Sequence, residues 1–319
     1  MKRRCFCHDY FERGIYMITL EVEGRRSLLG RLVGERVEPT PLGEAVADCW
    51  RQIPTFHPEV QLLECAVMPD HFHGLLFVRR RMARHLGEVV RGFKMGCTKA
   101  YRAMGRPSLF APGYHDRILT HKGQLETLFR YIRDNPRRLA VRLANLDYFT
   151  RINRLALAGN AFAAYGNPFL INRPDRLQIQ CSRRISPDAL AAEQVRLLDA
   201  AERGAVLVSP CISPGEKQIA RAALDEGLPL IVLLANSFAP KYKPPGRYFE
   251  ACAKGLLLML APVGGGPSGG GPYMARFPAR SPARSPITRR QCLALNQAAA
   301  DICGPGAAKL DYAGLVPLD

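Results

Sequence analysis

The sequence predicts two domains of different class: an α+β domain, then an α/β domain with a parallel sheet covered by helices. Three observations carry this. The length of 319 residues suits about two domains at roughly 100–200 residues each. Up to about residue 145 the apolar pattern reads strand–helix–strand–strand–helix–strand with a final helix, the succession of an antiparallel sheet with helices laid against it. From about residue 170 strands and helices alternate, and the strands are near-continuous apolar runs, as strands buried on both faces are. The boundary is expected near residue 160, with domains at 1–155 and 165–319.

In the first domain, residues 14–22 are rich in β-branched and aromatic side chains and predict a strand. A polar loop follows. Residues 40–54 read as a helix capped by Thr40, with Pro41 in its first turn where no amide donor is needed. Residues 60–68 and 71–78 are strands joined by the turn at Pro69-Asp70, a hairpin. Residues 85–103 have helical spacing, with Leu86, Val89, Val90, Phe93 and Cys97 on one side. A Pro/Gly loop (105–113), an extended segment (117–120) and a helix (124–134) that stops near Asn135-Pro136 complete the domain.

In the second domain, strands are expected at 177–181, 205–211, 228–235 and 256–262. Helices are expected at 187–202, 214–226, 248–254 and 288–300. The Gly-, Pro- and Ser-rich residues 264–286 read as a flexible insertion.

Composition narrows the function classes. The apolar share of 47% excludes wholesale disorder, and no apolar run reaches the roughly 18 residues of a membrane span. The basic N-terminal residues lack the apolar stretch of a signal peptide, so a cytoplasmic protein is expected. The ten cysteines form no Cys-x-x-Cys pair, and several sit in apolar patterns where Cys acts as a small hydrophobe, so reduced thiols are expected. Cys5-x-Cys7 with His8 lacks a second pair at zinc spacing.

The formal charge of +17 is unevenly spread. Residues 71–142 hold 16 Lys+Arg against 4 Asp+Glu, an excess of +12, while residues 1–70 hold 9 against 11. The basic block contains Arg79, Arg80, Arg81, Arg84, Arg91, Lys94, Lys99, Arg102, Arg106, Arg117, Arg130 and Arg133. Such a block can neutralise a phosphate backbone, although any single charge run also fits a solvated helix face. Interleaved Phe93, Tyr101, Phe110, Tyr114, Phe129 and Tyr131 suggest a stacking surface for single-stranded bases.

Two motifs inside this block carry chemistry. In His71-Phe72-His73 the two imidazoles lie two apart on a strand and project from one face, half of a divalent-metal site. Alone, His-x-His is a weak pattern and is more often a structural or accidental pair. In Tyr131-Ile132-Arg133-Asp134-Asn135-Pro136 the tyrosine and asparagine lie four apart and share a helix face, where core packing and a helix stop are the plain alternatives.

Together with Gly113-Tyr114-His115-Asp116-Arg117, these motifs resemble the single-tyrosine HUH transposases, closest to the REP-associated tyrosine transposase branch. The resemblance covers about residues 10–145. Asp70 stands where relatives commonly have Asn. The resemblance implies a ferredoxin-like first domain and transesterification on single-stranded DNA at hairpin-forming palindromes. Tyr131 would be the nucleophile, forming a 5′-phosphotyrosine bond. His71, His73 and Asn135 would hold Mg²⁺ or Mn²⁺, and the basic block would track phosphates. A phenol, which ionises only near pH 10, needs an electrophilic phosphate, and a divalent ion supplies that. His115 and Asp116 fit a turn as well as a role at DNA or metal.

The second domain is similar to Rossmann-type nucleotide-sensing domains related to the DNA-processing single-strand-binding protein. It has no Walker loop and no dinucleotide glycine fingerprint. A strand, turn and helix N-terminus around Ser209, Ser213, Gly215, Glu216 and Lys217 suit a nucleotide-type anion, or equally a capped helix in a scaffold. A homodimer, a domesticated non-catalytic DNA-binding regulator and a nucleotide sensor governed by the second domain are left open.

Overall fold

The computed structural model describes residues 8–103, 105, 108–121, 123–239, 242–263 and 287–304. Arg106, Cys5 and Cys7 and the expected insertion at 264–286 lie outside them. The protein is α+β, with a four-stranded antiparallel sheet, a two-stranded antiparallel hairpin and a six-stranded mixed sheet, in two compact units, Met1–Leu143 and Ala144–Asp319. The units part before residue 160, because a hairpin at 151–166 belongs to the second sheet.

The first unit runs β1 (Gly14–Glu21), the small hairpin β2 (Gly30–Val33) and β3 (Arg36–Pro39), α1 (Pro41–Arg51), α2 (Ile53–Phe56), β4 (Val60–Met68), β5 (His71–Val78), α3 (Leu86–Arg102), β6 (His115–Ile118) and α4 (Gln124–Ala144). The β2–β3 hairpin lies in what the sequence presents as polar loop. Thr40 caps α1 by accepting from the Gly43 amide, as Thr40-Pro41 predicts. The sheet order is β4-β5-β1-β6, antiparallel throughout.

Alternation along β5 divides the sheet into two faces. Phe72, Leu76 and Val78 point into the main core with Trp50 of α1 and Val89, Val90, Phe93 and Cys97 of α3. Trp50, Phe72 and Phe93 meet with ring centroids 5.1–5.3 Å apart, and burying each such side chain contributes roughly 1.5–3 kcal/mol. His71, His73 and Leu75 point to the other face, where α4 packs through Leu128 and Ile132.

Helix α4 does not stop at Asn135. It passes through Pro136, which forfeits the hydrogen bond to the Ile132 carbonyl, and continues to Ala144. Arg137 reaches back across that point to Asp134, Nε to Oδ1 at 2.6 Å.

The second unit runs β7 (Arg151–Leu157), β8 (Asn160–Gly166), β9 (Arg176–Gln178), α5 (Pro187–Glu202), β10 (Val206–Ser209), α6 (Pro214–Asp225), β11 (Leu230–Leu233), α7 (Gly246–Ala253), β12 (Leu257–Pro262) and α8 (Arg289–Cys303). Its sheet order is β7-β8-β12-β11-β10-β9. Strands β9 to β12 are parallel, but β8 joins β12 antiparallel, so the sheet is mixed where the sequence suggested a parallel one. Helices α5, α6 and α7 bury Leu197, Ile219 and Cys252 on one face, and α8 buries Leu295, Ala299 and Ile302 on the other. Val206 and Leu207, adjacent on β10, serve opposite faces, which is why the run is continuously apolar.

Candidate functional site

The site lies on the α4 face of the first sheet. Pairing of β5 with β1 sets His73 opposite Thr19 and His71 opposite Glu21, and pairing of β1 with β6 sets Thr19 opposite His115. Both imidazoles are buried, at 8% and 4% exposure. Their outer nitrogens are held: His71 Nδ1 lies 2.5 Å from Asp70 Oδ1, and His73 Nδ1 lies 2.8 Å from Thr19 Oγ1. Their inner nitrogens converge, Nε2 to Nε2 at 3.2 Å. Two nitrogens each about 2.0–2.1 Å from one ion stand roughly this far apart.

Tyr131 meets this pair from α4, its ring centroid 5.8 Å from that of His73 at 64°. Asn135, one turn on, is buried, and its Nδ2 has no hydrogen-bond partner. Turning the amide by 180° exchanges its oxygen and nitrogen, so a spare acceptor is equally at hand there. The paired, oriented imidazoles have the donor chemistry for a divalent cation, and Asn135, one helical turn past Tyr131, carries a buried amide atom without a partner. Among the described residues no group of three or more His, Cys, Asp or Glu is gathered for a metal ion.

Burial opposes ionisation of Asp70, but the hydrogen bond and charge of His71 and the charge of Arg25, 3.2 Å away, outweigh it and hold the carboxyl below its ordinary range. Asp70 therefore provides a carboxylate behind His71, the arrangement that fixes tautomer and ring orientation in metal-ligating histidines. Thr19 was not legible as a site residue, because its role depends on which strand pairs with β5. Of the neighbours on β6, His115 is exposed on the site face, whereas Asp116 accepts a 2.7 Å hydrogen bond from Tyr10 Oη.

The basic block divides. Arg91, Lys94, Lys99 and Arg102 line one groove of about 890 Å³ with Met95, Gly113 and Tyr114. This groove is borne by α3, across the sheet from the histidine pair. Lys94 donates to the carbonyls of Ala111 at 2.7 Å and Gly113 at 3.1 Å, and burial lowers its pKa against the opposing pull of Glu23. Four others already meet carboxylates: Arg81 with Asp9 and Glu12, Arg84 with Glu88, Arg130 with Glu126, and Arg133 with Glu64. Arg79 donates to the Pro58 carbonyl. Arg80 and Arg117 are exposed, Arg117 on the site face opposite Met17. Of the aromatics read as a stacking surface, Phe93, Tyr101 and Phe110 are instead core residues. Their spacing in α3 serves packing, and only Tyr114, Phe129 and Tyr131 stay partly exposed.

The residues singled out in the second unit satisfy one another. Ser213 and Glu216 form a capping box: Ser213 Oγ accepts from the Glu216 amide, and the Glu216 carboxylate accepts from the amides of Ile212 at 2.7 Å and Ser213 at 3.2 Å. Ser209 Oγ accepts from the Cys211 amide, which stabilises Cys211 in a left-handed conformation. A Cβ on Gly215 would come within 3.1 Å of Cys181 and Leu190, so this glycine admits close packing. Lys217 is exposed. The Glu216 amide is thus taken by the cap, and Pro214 supplies no donor.

No family model matches the chain. An uncharacterized protein of Haemophilus influenzae is 25% identical over 150 residues, spanning 40% of this chain and 83% of its own. Two solved structures are similar to 42% of the chain: a REP-associated tyrosine transposase bound to a REP hairpin (18% identity, 73% of that chain, TM-score 0.33) and a provisionally named transposase from Deinococcus radiodurans (19% identity, 97% of that chain, TM-score 0.26). At these scores the function rests on the site. Among the described residues no helix is long and apolar enough to cross a membrane.

Proposed function

We propose that the chain is a metal-dependent, single-tyrosine strand transferase that cleaves and rejoins single-stranded DNA beside a hairpin. The observation that carries this is the pair of buried imidazoles, outer nitrogens fixed and inner nitrogens 3.2 Å apart, with the Tyr131 ring beside them. The first unit is read as ferredoxin-like: its four main strands, in chain order, lie 2-3-1-4 with helices α1 and α3 on one face. The second is read as Rossmann-like, with three β-α-β crossovers and α8 on the far face. Its strand order does not reverse within β9–β12, so the ligand crevice that forms at a reversal has no counterpart there.

In the reaction, Tyr131 Oη attacks the scissile phosphorus and a new O–P bond forms. The P–O3′ bond breaks, the phenolic proton ends on the released 3′ oxygen, and the 5′ side remains attached to the tyrosine. Attack by a second 3′-hydroxyl reverses the step, so joining needs no nucleotide hydrolysis. His71, His73 and Asn135 would hold Mg²⁺ or Mn²⁺, and such an ion would supply Lewis-acid polarisation of the phosphate. Thr19 and Asp70 orient the imidazoles. The α3 groove, with Arg91, Lys94, Lys99 and Arg102, offers its cations to the phosphates of the hairpin.

The test incubates the full chain and Mn²⁺ with labelled hairpin DNA carrying randomised single-stranded flanks. A covalent protein–DNA adduct is expected and Tyr131→Phe removes it without loss of hairpin binding. Hairpin binding with no adduct from the unmodified chain supports a non-catalytic DNA-binding protein instead.

A further inference from the structure

Helix α4 is lightly held for an element that carries a nucleophile. Among the described residues the buried apolar cluster beneath it is Leu75, Leu128 and Ile132, whereas the opposite face of the same sheet supports the main core. Its helical hydrogen bonding is interrupted at Pro136, one residue past Asn135. Its two flanks also make contacts with the sheet. At 3.6 residues per turn Tyr131 and Arg133 lie about 200° apart around the helix. Leu128, Ile132 and Asn135 form the buried row between them. One flank brings Tyr131 to His73, and the other brings Arg133 to β4.

The contact on that second flank is built. Arg133 Nε donates to Glu64 Oε2 at 2.6 Å, and the same guanidinium lies 5.3 Å from the centre of the Phe129 ring. Glu64 faces α4 because of an irregularity in the β4–β5 ladder. Leu62 pairs with Leu76, but Glu64, not Leu63, pairs with Leu75. With regular pairing Leu63 would stand opposite Leu75, and Glu64 would turn toward the main core. A bulge re-aims the side chain that follows it, and here it delivers a carboxylate to the tyrosine helix.

We propose that Glu64 is a positioning residue: by holding Arg133 it sets the roll of α4, and so the placement of Tyr131 over His73. This rests on the strand-transfer reading. It gives Arg133 a partner within the protein in place of the DNA phosphate that its basic surroundings suggest.

The experiment uses the full chain with Mn²⁺ and the randomised-flank hairpin DNA, measuring single-turnover adduct formation, hairpin affinity, and the ¹⁹F spectrum of fluorotyrosine-labelled protein. The Tyr131 resonance is identified by its loss in Tyr131→Phe. Glu64→Gln is expected to slow adduct formation about tenfold or more at unchanged hairpin affinity and to shift or broaden the Tyr131 resonance. The exchanged pair, Glu64→Arg with Arg133→Glu, restores both. An adduct rate in Glu64→Gln equal to that of the unmodified chain overturns the proposal. So does an Arg133→Gln variant that loses hairpin affinity while keeping its rate, because Arg133 would then be a phosphate contact. If the unmodified chain forms no adduct, the strand-transfer reading fails. The resonance still decides the clasp: an unmoved Tyr131 signal in Glu64→Gln overturns it, and a moved one that the exchanged pair restores upholds it.

Discussion

His71 and His73 turn their Nε2 atoms toward each other at 3.2 Å, and the protein has spent a side chain on each opposite nitrogen. Asp70, a carboxylate, can only accept, so His71 carries a proton on Nδ1, and in its neutral form Nε2 is then a lone pair. Hydrogen-bonded to that lone pair, His73 has to donate from Nε2, and Thr19 then donates to His73 Nδ1. To present two lone pairs to one cation, His73 moves its proton to Nδ1 and Thr19 accepts instead. A hydroxyl can play both parts, so the pair can pass between these states without leaving a buried nitrogen unsatisfied.

This assigns different weights to similar substitutions. Asp70→Ala and Thr19→Val are expected to weaken Mn²⁺ binding by about 10–100-fold, the usual effect of removing a partner behind a metal ligand. Thr19→Ser keeps the hydroxyl and retains the affinity. Titration followed by electron paramagnetic resonance measures each. Unchanged affinity in both Asp70→Ala and Thr19→Val means that the imidazoles are a structural pair.

Gly74, directly after His73, is a packing requirement. A Cβ there would overlap the Trp50 ring, which meets Phe72 and Phe93 on the main-core side of the sheet. Gly74→Ala is expected to cost about 1–3 kcal/mol through overpacking. Because Trp50 is the single tryptophan of the chain, its fluorescence reports the denaturation midpoint directly. A midpoint equal to that of the unmodified protein contradicts the close approach.

Local chemistry made much of this legible beforehand. Thr40-Pro41 set the start of α1, and the His-x-His alternation put both imidazoles on one face of β5. What the sequence hid was decided by distant partners. Thr19 serves His73 only because β1 lies between β5 and β6, and Glu64 reaches α4 only because the ladder slips by one residue. Pro136 read as a stop because the residue before proline disfavours helix, yet the chain accepts one lost bond and continues to Ala144. Phe93, Tyr101 and Phe110 read as a base-stacking surface because charge surrounds them in sequence. In space their side of α3 and the following loop is the core.

The serine at the start of α6 has a measurable structural role. Ser213→Ala removes the acceptor for the Glu216 amide and is expected to cost about 0.5–2 kcal/mol in chemical denaturation, the range for a lost N-cap. Lys217→Ala, at an exposed position outside the cap, should stay within about ±0.5 kcal/mol. A loss in Lys217→Ala exceeding that in Ser213→Ala contradicts the capping account.

Cys49 and Cys97 give the main core a titration that can be followed chemically. The hydrogen bond from Cys97, buried on α3, lowers the Cys49 thiol to about 7 against burial and the charge of Asp48, while Cys97 itself is pushed up. Burial pushes up the thiols of Cys65, Cys181, Cys211, Cys252 and Cys303. Cys49 is half-buried and lines a cavity of about 250 Å³ with Phe56 and His57, so a small alkylating reagent can reach it. Since the thiolate is the reactive form, its fraction rises as pH passes through the lowered value and is nearly complete a unit or two above. Iodoacetamide modification at Cys49, read by peptide mapping, is therefore expected to rise with a midpoint near pH 7. Modification should be faster there than at those five cysteines. Cys97→Ala removes the donor and leaves burial and Asp48 in place, so the midpoint moves upward, past the roughly 8.5 of a free thiol. A midpoint that stays near 7 in Cys97→Ala, or earlier modification at any of the five raised thiols, shows that Cys97 does not stabilise the Cys49 thiolate.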